Sequence, residues 1–305
     1  MEMNRRQFMT TTLAGAGAML LNHPLLAADA KPLSGDPFQM VPLGKTGLKV
    51  SLVGAGTGMR GGGRQSNMTR LGKEKFEALL KYEFEKGIRL FDCADMYGTH
   101  PYVASAFKGL PREQYVISTK IWVMDGALPE KERPDANIVV DRFRKELNTD
   151  YIDLVLIHCM MAPNWCDQWK RQMDILEELK SKGIIKAHGV SIHSLQALKA
   201  AAESPWVDSM HVRINAFGDA MDGKPEVVTP VIKKAHEAGK GVIAMKVVGE
   251  GRYRNAPEKL DESIKYVLDQ GTVSAMVVGF EKPEEVDDFT ARVKNALAAK
   301  AKPAV

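Results

Sequence analysis

Arg-Leu-Phe-Asp-Cys-Ala-Asp-Met-Tyr-Gly, residues 89–98, decides how the rest of the chain is read. It begins as an apolar run and ends in polar side chains, Asp92 and Tyr97. Three other stretches are built the same way: YVISTKIW (Tyr115 to Trp122), DLVLIHC (Asp153 to Cys159) and AHGVSIH (Ala187 to His193). Lys120 closes the second, His158 the third and Ser191 the fourth. If these runs are neighbouring parallel strands, Asp92, Tyr97, Lys120 and His158 meet at one end of a sheet. In a parallel barrel the C-terminal end of the strands is where chemistry sits, because the loops leaving it are free to vary.

Outward from these stretches, strand and helix patterns alternate. LVGAGT (Leu52 to Thr57) reads as the first strand; Ser209 to Ala216, Gly241 to Val247 and Ser274 to Phe280 read as the last three. Amphipathic helices are predicted between them, among them Gly72 to Lys86, Ala136 to Leu147, Asp167 to Ser181, Thr229 to Ala238 and Pro283 to Ala298. Glycine follows several of them, as at Gly87, Gly183, Gly239 and Gly271, where a left-handed residue ends a helix. Eight such units in about 265 residues fit a (β/α)8 TIM barrel over residues 39–300. An open doubly wound sheet is the alternative, but G-x-G-x-x-G is missing from its first turn. QMVPLGKTGLKVS, ahead of the first strand, predicts a β-hairpin turning near Lys45 to Gly47. The glycine-rich GMRGGGRQ after the first strand matches no phosphate-loop spacing and reads as a flexible loop over the mouth.

The 305 residues carry 42 basic and 38 acidic side chains, a net charge of +4. This near balance, without a basic run, gives no sign of a nucleic-acid partner. Cys93, Cys159 and Cys166 form no C-x-x-C pair and no disulfide framework. Cys93 and Cys159 each follow a polar strand-end residue, so alternation turns them into the layer between barrel and helices. Residues 1–30 read as an address. Asn4-Arg5-Arg6-Gln7-Phe8-Met9 looks like a twin-arginine export signal, followed by a weakly apolar stretch and an Ala28-Asp29-Ala30 cleavage site. Gly15, Gly17, Asn22, His23 and Pro24 interrupt the apolar stretch too early for a membrane span. The twin-arginine translocase is therefore an expected partner and the periplasm the expected location. Residues 31–38 read as a linker.

The order Asp92, Tyr97, Lys120, His158, with the stretches FDCADMYG, STKIW and LIH, resembles the aldo-keto reductase family. The resemblance covers roughly residues 40–297. It implies a barrel plugged by its N-terminal hairpin, a nicotinamide cofactor (NADP or NAD) and a small carbonyl or alcohol substrate. It also implies the roles. Tyr97 is the general acid, Lys120 lowers its pKa, Asp92 fixes Lys120, and His158 donates a hydrogen bond to the carbonyl oxygen. The residue types suit this chemistry. A tyrosine is a reluctant acid–base group at its reference pKa near 10, and a neighbouring ammonium favours its phenolate.

On the cofactor side the resemblance implies contacts from Ser191, His211, Met245, Lys246, Gly249, Gly251, Arg252, Gly279, Phe280 and Glu285, with departures from the family pattern. Ile192 stands where an Asn is usual, His211 at a Gln, Met245 at a ring-stacking aromatic, and Glu285 where an Arg usually grips the adenosine 2′-phosphate. Glu284 and Glu285 also suit a helix N-terminus as acids, and Arg252 or Arg254 could replace the lost charge. Met59, Trp122, Met124, Met160, Met161, Trp165 and Trp169 are candidates for an apolar pocket, or for core packing. Two other functions remain open on the residues alone. One is a metal-dependent hydrolase using His158, His193 and His211, since three histidines can hold a catalytic zinc. It lacks an H-x-H pair on strand one and an acidic ligand after strand eight, and no metal ligand is assigned. The other is an exported barrel that binds a ligand without redox activity.

Overall fold

The structure, a computed structural model, describes residues 33–300, so the expected export signal at 1–30 lies outside the described residues. Among the described residues ten strands are formed: β1 Met40–Pro42, β2 Lys49–Ser51, β3 Val53–Gly56, β4 Leu90–Asp92, β5 Val116–Ile121, β6 Ile152–Met160, β7 Ile185–Ile192, β8 Ser209–Arg213, β9 Gly241–Met245 and β10 Ala275–Val278. Strands β3 to β10 are parallel and neighbour one another in chain order. The barrel closes where Met276 of β10 pairs with Val53 of β3.

Side-chain alternation explains both the core and the mouth. Leu90, Val116, Leu154, Leu156, Ala187, Ile243, Ala275 and Val277 form one buried cluster inside the barrel. Phe91, Ile117, Val155, Ile157, Val190, Ile192, Met210 and Val212 point the other way and join the helices in the larger core. Counting on in steps of two from the inward set reaches Asp92, Ser118 and Lys120, His158, Ser191, and, on β9, Met245. Apart from Tyr97, the residues expected to do chemistry are the inward series continued past the apolar layers.

The other end is closed by the β1–β2 hairpin, paired antiparallel from Met40↔Ser51 to Pro42↔Lys49. Leu43 and Val50 are fully buried in the same cluster as the barrel interior. Each such side chain contributes about 1.5–3 kcal/mol by leaving water. The Lys45 N–H donates to Gly239 O at 2.8 Å, tying the turn to the rim. The expected linker is packed down from Leu33 onward, where the folded unit begins. Pro37 is buried, and Leu33 and Phe38 lie against the core.

The expected elements mostly form, with shifted bounds. The 89–98 stretch is a strand only over Leu90–Asp92; the chain then turns, and Tyr97 ends a single 3-10 turn, Asp95–Tyr97. The helix expected from Asp167 is broken at Trp169 (φ −112°, ψ 18°) into Trp165–Gln168 and Lys170–Ser181. The helix expected from Thr229 begins four residues earlier, with Pro225 in its first turn, and runs through Pro230 as Pro225–Glu237. Among the described residues no helix is long and apolar enough to cross a membrane.

Candidate active site

Asp92 and Lys120 form the centre of the mouth. Lys120 Nζ donates to both Asp92 oxygens, each at 2.6 Å, and to the Cys93 carbonyl at 2.9 Å. Ser118 Oγ donates to Asp92 Oδ1 at 3.0 Å. The Lys120 side chain is 2% exposed, so the pair is shut away from water. Tyr97 lies beside it, with Lys120 Nζ 5.2 Å from the centre of its ring. The Tyr97 hydroxyl stands 3.5 Å from His158 Nε2. The four expected catalytic residues therefore meet.

Tyr97 is held by packing more than by polar contacts. A Cβ on Gly58 would lie 2.2 Å from its ring, and one on Gly61 2.4 Å. The glycine-rich loop after β3 is thus pressed onto the phenol, and glycine is required because any side chain there would displace it. This gives a structural reason for a stretch that read only as a flexible loop.

Burial dominates the resting state of Tyr97. Lys120 was expected to lower the Tyr97 pKa. Instead burial raises it well above the ordinary tyrosine value, with the Asp92 carboxylate adding in the same direction. The physical reason is the desolvation of the phenol; the Lys120 ammonium has three acceptors, two on Asp92 and one on Cys93, and donates no hydrogen bond to it. Tyr97 rests as a protonated hydroxyl. Burial, then Lys120, holds His158 well below the usual imidazole range, so it rests neutral. Its Nδ1 is buried without a partner, as is the Trp122 indole N–H, on a ring 5.5 Å from that of His158.

The expected cofactor residues divide into groups. Ser191 is buried, and its Oγ accepts the Cys159 N–H at 2.8 Å, which leaves its own hydrogen free to donate. Cys159 is the bulged residue of β6 (φ 66°) and is half-buried, whereas Cys93 is fully buried and its thiol is pushed up to about 11 by burial. His211 does not line an open groove: it sits beneath the mouth, Nδ1 3.6 Å from Asp92 Oδ1 and Nε2 3.4 Å from Ser118 Oγ. Burial lowers its pKa to about 4, with Asp92 opposing. Met245 is half-buried at the end of β9, and Lys246 pairs with Glu250 at 2.7 Å. Gly249 and Gly251 bound a short turn whose Tyr253 is buried and bonded to Asn215 Oδ1 (3.1 Å) and Asp219 Oδ2 (2.9 Å), so this loop is anchored. Arg252 is more than half exposed and donates to Gly249 O. Gly279 faces Gly56 across the tops of β10 and β3, leaving bare backbone at the rim. Phe280 departs from expectation: its side chain is buried against Phe289, in the core, so only its backbone faces the rim. Glu285 accepts the Glu281 N–H at 2.8 Å and pairs with Arg254 at 3.3 Å.

The apolar candidates divide too. Met160 and Trp165 are buried in the core, Met124 and Trp169 pack against it, and Met161 is exposed. The three-histidine metal reading is not supported: the rings of His158 and His193 stand 6.4 Å apart, and His211 is turned toward Asp92. Among the described residues no three His, Cys, Asp or Glu side chains come together to hold a metal.

Comparison with known proteins agrees with this geometry. The chain is 28% identical over 203 residues to the NADH-specific methylglyoxal reductase of Escherichia coli K12, a match spanning 61% of this chain and 62% of that protein, less than two thirds of its length. It is 28% identical over 217 residues to methylglyoxal reductase DkgA of Escherichia coli O157:H7, covering 66% of this chain and 73% of the relative. A solved structure described as an aldo-keto reductase from Pseudomonas aeruginosa superposes with a TM-score of 0.69 at 28% identity, covering 85% of this chain and 95% of that one. The sequence model of the Aldo/keto reductase family matches residues 52–263, and on that match, carried by a closed barrel with the four side chains at its mouth, the chain belongs to this family.

Proposed function

We propose that the protein reduces small carbonyl compounds with a nicotinamide cofactor, Tyr97 acting as the proton donor. The observation that carries this reading is the meeting of Tyr97, His158 and the Asp92–Lys120 pair at the C-terminal mouth. The residues around the mouth fit a nicotinamide. Ser191 retains a free donor, Met245 offers an apolar side chain, and Gly56 and Gly279 approach each other closely without side chains at the rim. When bound, the cofactor supplies a hydride to the carbonyl carbon. The chain's own residues deal with the oxygen. The Tyr97 hydroxyl gives its proton to that oxygen as negative charge develops on it. The neutral His158, with its proton on Nε2, donates to the same place. Lys120, behind the Tyr97 ring, stabilises the phenolate left behind. Methylglyoxal, which two relatives are named for reducing, is a suitable trial substrate.

Tyr97→Phe tests this. Removing one general acid lowers the rate by roughly 100- to 10,000-fold, with fold and cofactor binding retained. Wild-type reduction should be flat across neutral pH, because Tyr97 stays protonated below its raised pKa and His158 stays neutral above its lowered one. The reverse oxidation needs the phenolate and should climb with alkaline pH. A Tyr97→Phe enzyme within about threefold of wild type would remove the assignment.

For the cofactor, the reading favours NAD(H) at least equally with NADP(H). Glu285 and Glu281 place two carboxylates beside Arg254, at 3.3 and 3.4 Å, and so occupy the cation that would otherwise be free for a 2′-phosphate. A carboxylate suits the ribose 2′-hydroxyl and repels a phosphate there. The E. coli K12 relative is itself named NADH-specific. Calorimetry of both cofactors should show Glu285→Arg shifting preference toward NADP(H) by about tenfold, since each 1.4 kcal/mol is a factor of ten. A wild type preferring NADP(H) by that factor, unchanged by the substitution, would contradict the reading.

The residues Arg5 and Arg6 support export by the twin-arginine route, with periplasmic location and with the cofactor bound before export, since that route carries folded proteins. Changing both to Lys should leave the protein in the cytoplasm. Normal recovery from the periplasmic fraction would refute this.

A further inference from the structure

The Tyr97 hydroxyl has one polar neighbour, His158 Nε2 at 3.5 Å, so its own hydrogen bonds do not fix its place. What fixes the turn that carries it is a chain of charged and polar side chains behind the mouth. Asp95, two residues before Tyr97 in the 3-10 turn, has a side chain only 3% exposed. Arg64 Nε donates to its Oδ1 at 3.0 Å and Arg142 Nη2 to its Oδ2 at 2.7 Å. Arg142, on the helix Ala136–Leu147, also donates through Nη1 to Glu146 Oε1 at 2.8 Å, one turn on. The other Glu146 oxygen accepts from His100 Nδ1 at 2.8 Å, and His100 Nε2 pairs with Thr119 Oγ1 at 2.7 Å. His100 opens the helix His100–Ala106, three residues after Tyr97, and Thr119 precedes Lys120 on β5. The chain therefore grips Tyr97 from both sides in sequence and ends on the neighbour of Lys120.

Its other end reaches the loops over the mouth. Arg64 Nη1 donates to Glu130 Oε1 at 2.5 Å, and the Gly63 N–H donates to Ala127 O at 2.8 Å. These contacts join the glycine-rich loop to the loop after β5. The glycine-rich loop in turn presses on the Tyr97 ring at Gly58 and Gly61. None of the six residues reaches the reacting atoms. Arg142 is the keystone, since it alone bridges the Asp95 and Glu146 carboxylates.

We propose that the chain Arg64–Asp95–Arg142–Glu146–His100–Thr119 is a positioning device that sets the Tyr97 phenol against His158 and the Asp92–Lys120 pair. The proposal rests on the reductase reading for its effect on rate, but not for its effect on Tyr97 itself. Catalytic groups need placement to a fraction of an ångström, and a misplacement of about 1 Å costs on the order of 100-fold. The turn cannot supply this alone, because a single 3-10 turn has few hydrogen bonds of its own.

The test uses the full chain with NADH and methylglyoxal, and tyrosine labelled with carbon-13 at Cζ, the Tyr97 resonance being assigned by its loss in Tyr97→Phe. Arg142→Met should lower kcat by about 10- to 100-fold with the cofactor KM within about twofold, and should shift or broaden the Tyr97 resonance. Arg142→Lys, which keeps a cation for Asp95, should recover most of both. If Arg142→Met does not fold, Glu146→Gln, which weakens the chain at a partly exposed residue, carries the same expectations. An unchanged Tyr97 resonance with kcat within about twofold of wild type, even with a lowered Tm, would make the chain merely structural and overturn the proposal. A wild type that reduces nothing would overturn the reductase reading alone, and the Tyr97 resonance would still decide the positioning claim.

Discussion

The pairing of Lys120 with both oxygens of Asp92 is the interaction on which the mouth of the barrel depends. Burying two charges costs several kcal/mol per ion unless their hydrogen bonds are met. Here they are met from neighbouring strands: Cys93 O accepts from Lys120, and Ser118 Oγ donates to Asp92. The pair spans β4 and β5 and fixes the spacing of the two strand ends that carry it. Its surroundings follow from it. Lys120 helps keep His158 and His211 neutral, and Asp92 helps keep Tyr97 protonated. The proposed proton donor and the proposed hydrogen-bond donor thus rest in the states that reduction would need.

The rest of the barrel presents this pair without obstructing it. The hairpin and the inward apolar layers fill the lower barrel, so the polar inward residues are confined to the upper end. The bulge at Cys159 interrupts alternation just after His158. The backbone N–H exposed there is satisfied by Ser191 from the next strand. The anchored loops at Asn215 and Tyr253, and the Arg254 contacts with Glu281 and Glu285, give the proposed cofactor side a fixed wall.

The barrel and three of its central residues, Asp92, Lys120 and His158, were legible in the sequence because they follow from period-two alternation, whereas Tyr97, in the turn beyond β4, came from the family resemblance. Leu90 and Asp92, Leu156 and His158, and Ala187 and Ser191 lie on one face whatever the helices do. What was not legible depends on contacts distant in sequence. His211 could be placed on its strand, but its approach to Asp92 spans more than a hundred residues. The sign of the Tyr97 shift required knowing how deeply the phenol is buried. The Asp95 chain joins four separate elements, and its one local signal was an acid two residues before the tyrosine, which equally fits a turn. The burial of the Phe280 side chain follows from its parity on the stretch ending β10, which the family position alone does not give. The 31–38 segment read as a linker, although within it Pro37 and Phe38 pack down.

The central claim is that this mouth transfers hydride from a nicotinamide to a carbonyl carbon while Tyr97 supplies the proton. It is tested most directly by incubating the full chain with methylglyoxal and NADH carrying deuterium at the transferable C4 position, and examining the product by NMR. Deuterium bonded to the former carbonyl carbon, with hydrogen from solvent on the oxygen, is the expected result. Absence of reduction with both NADH and NADPH, or a reduced product with no deuterium on that carbon, would contradict it.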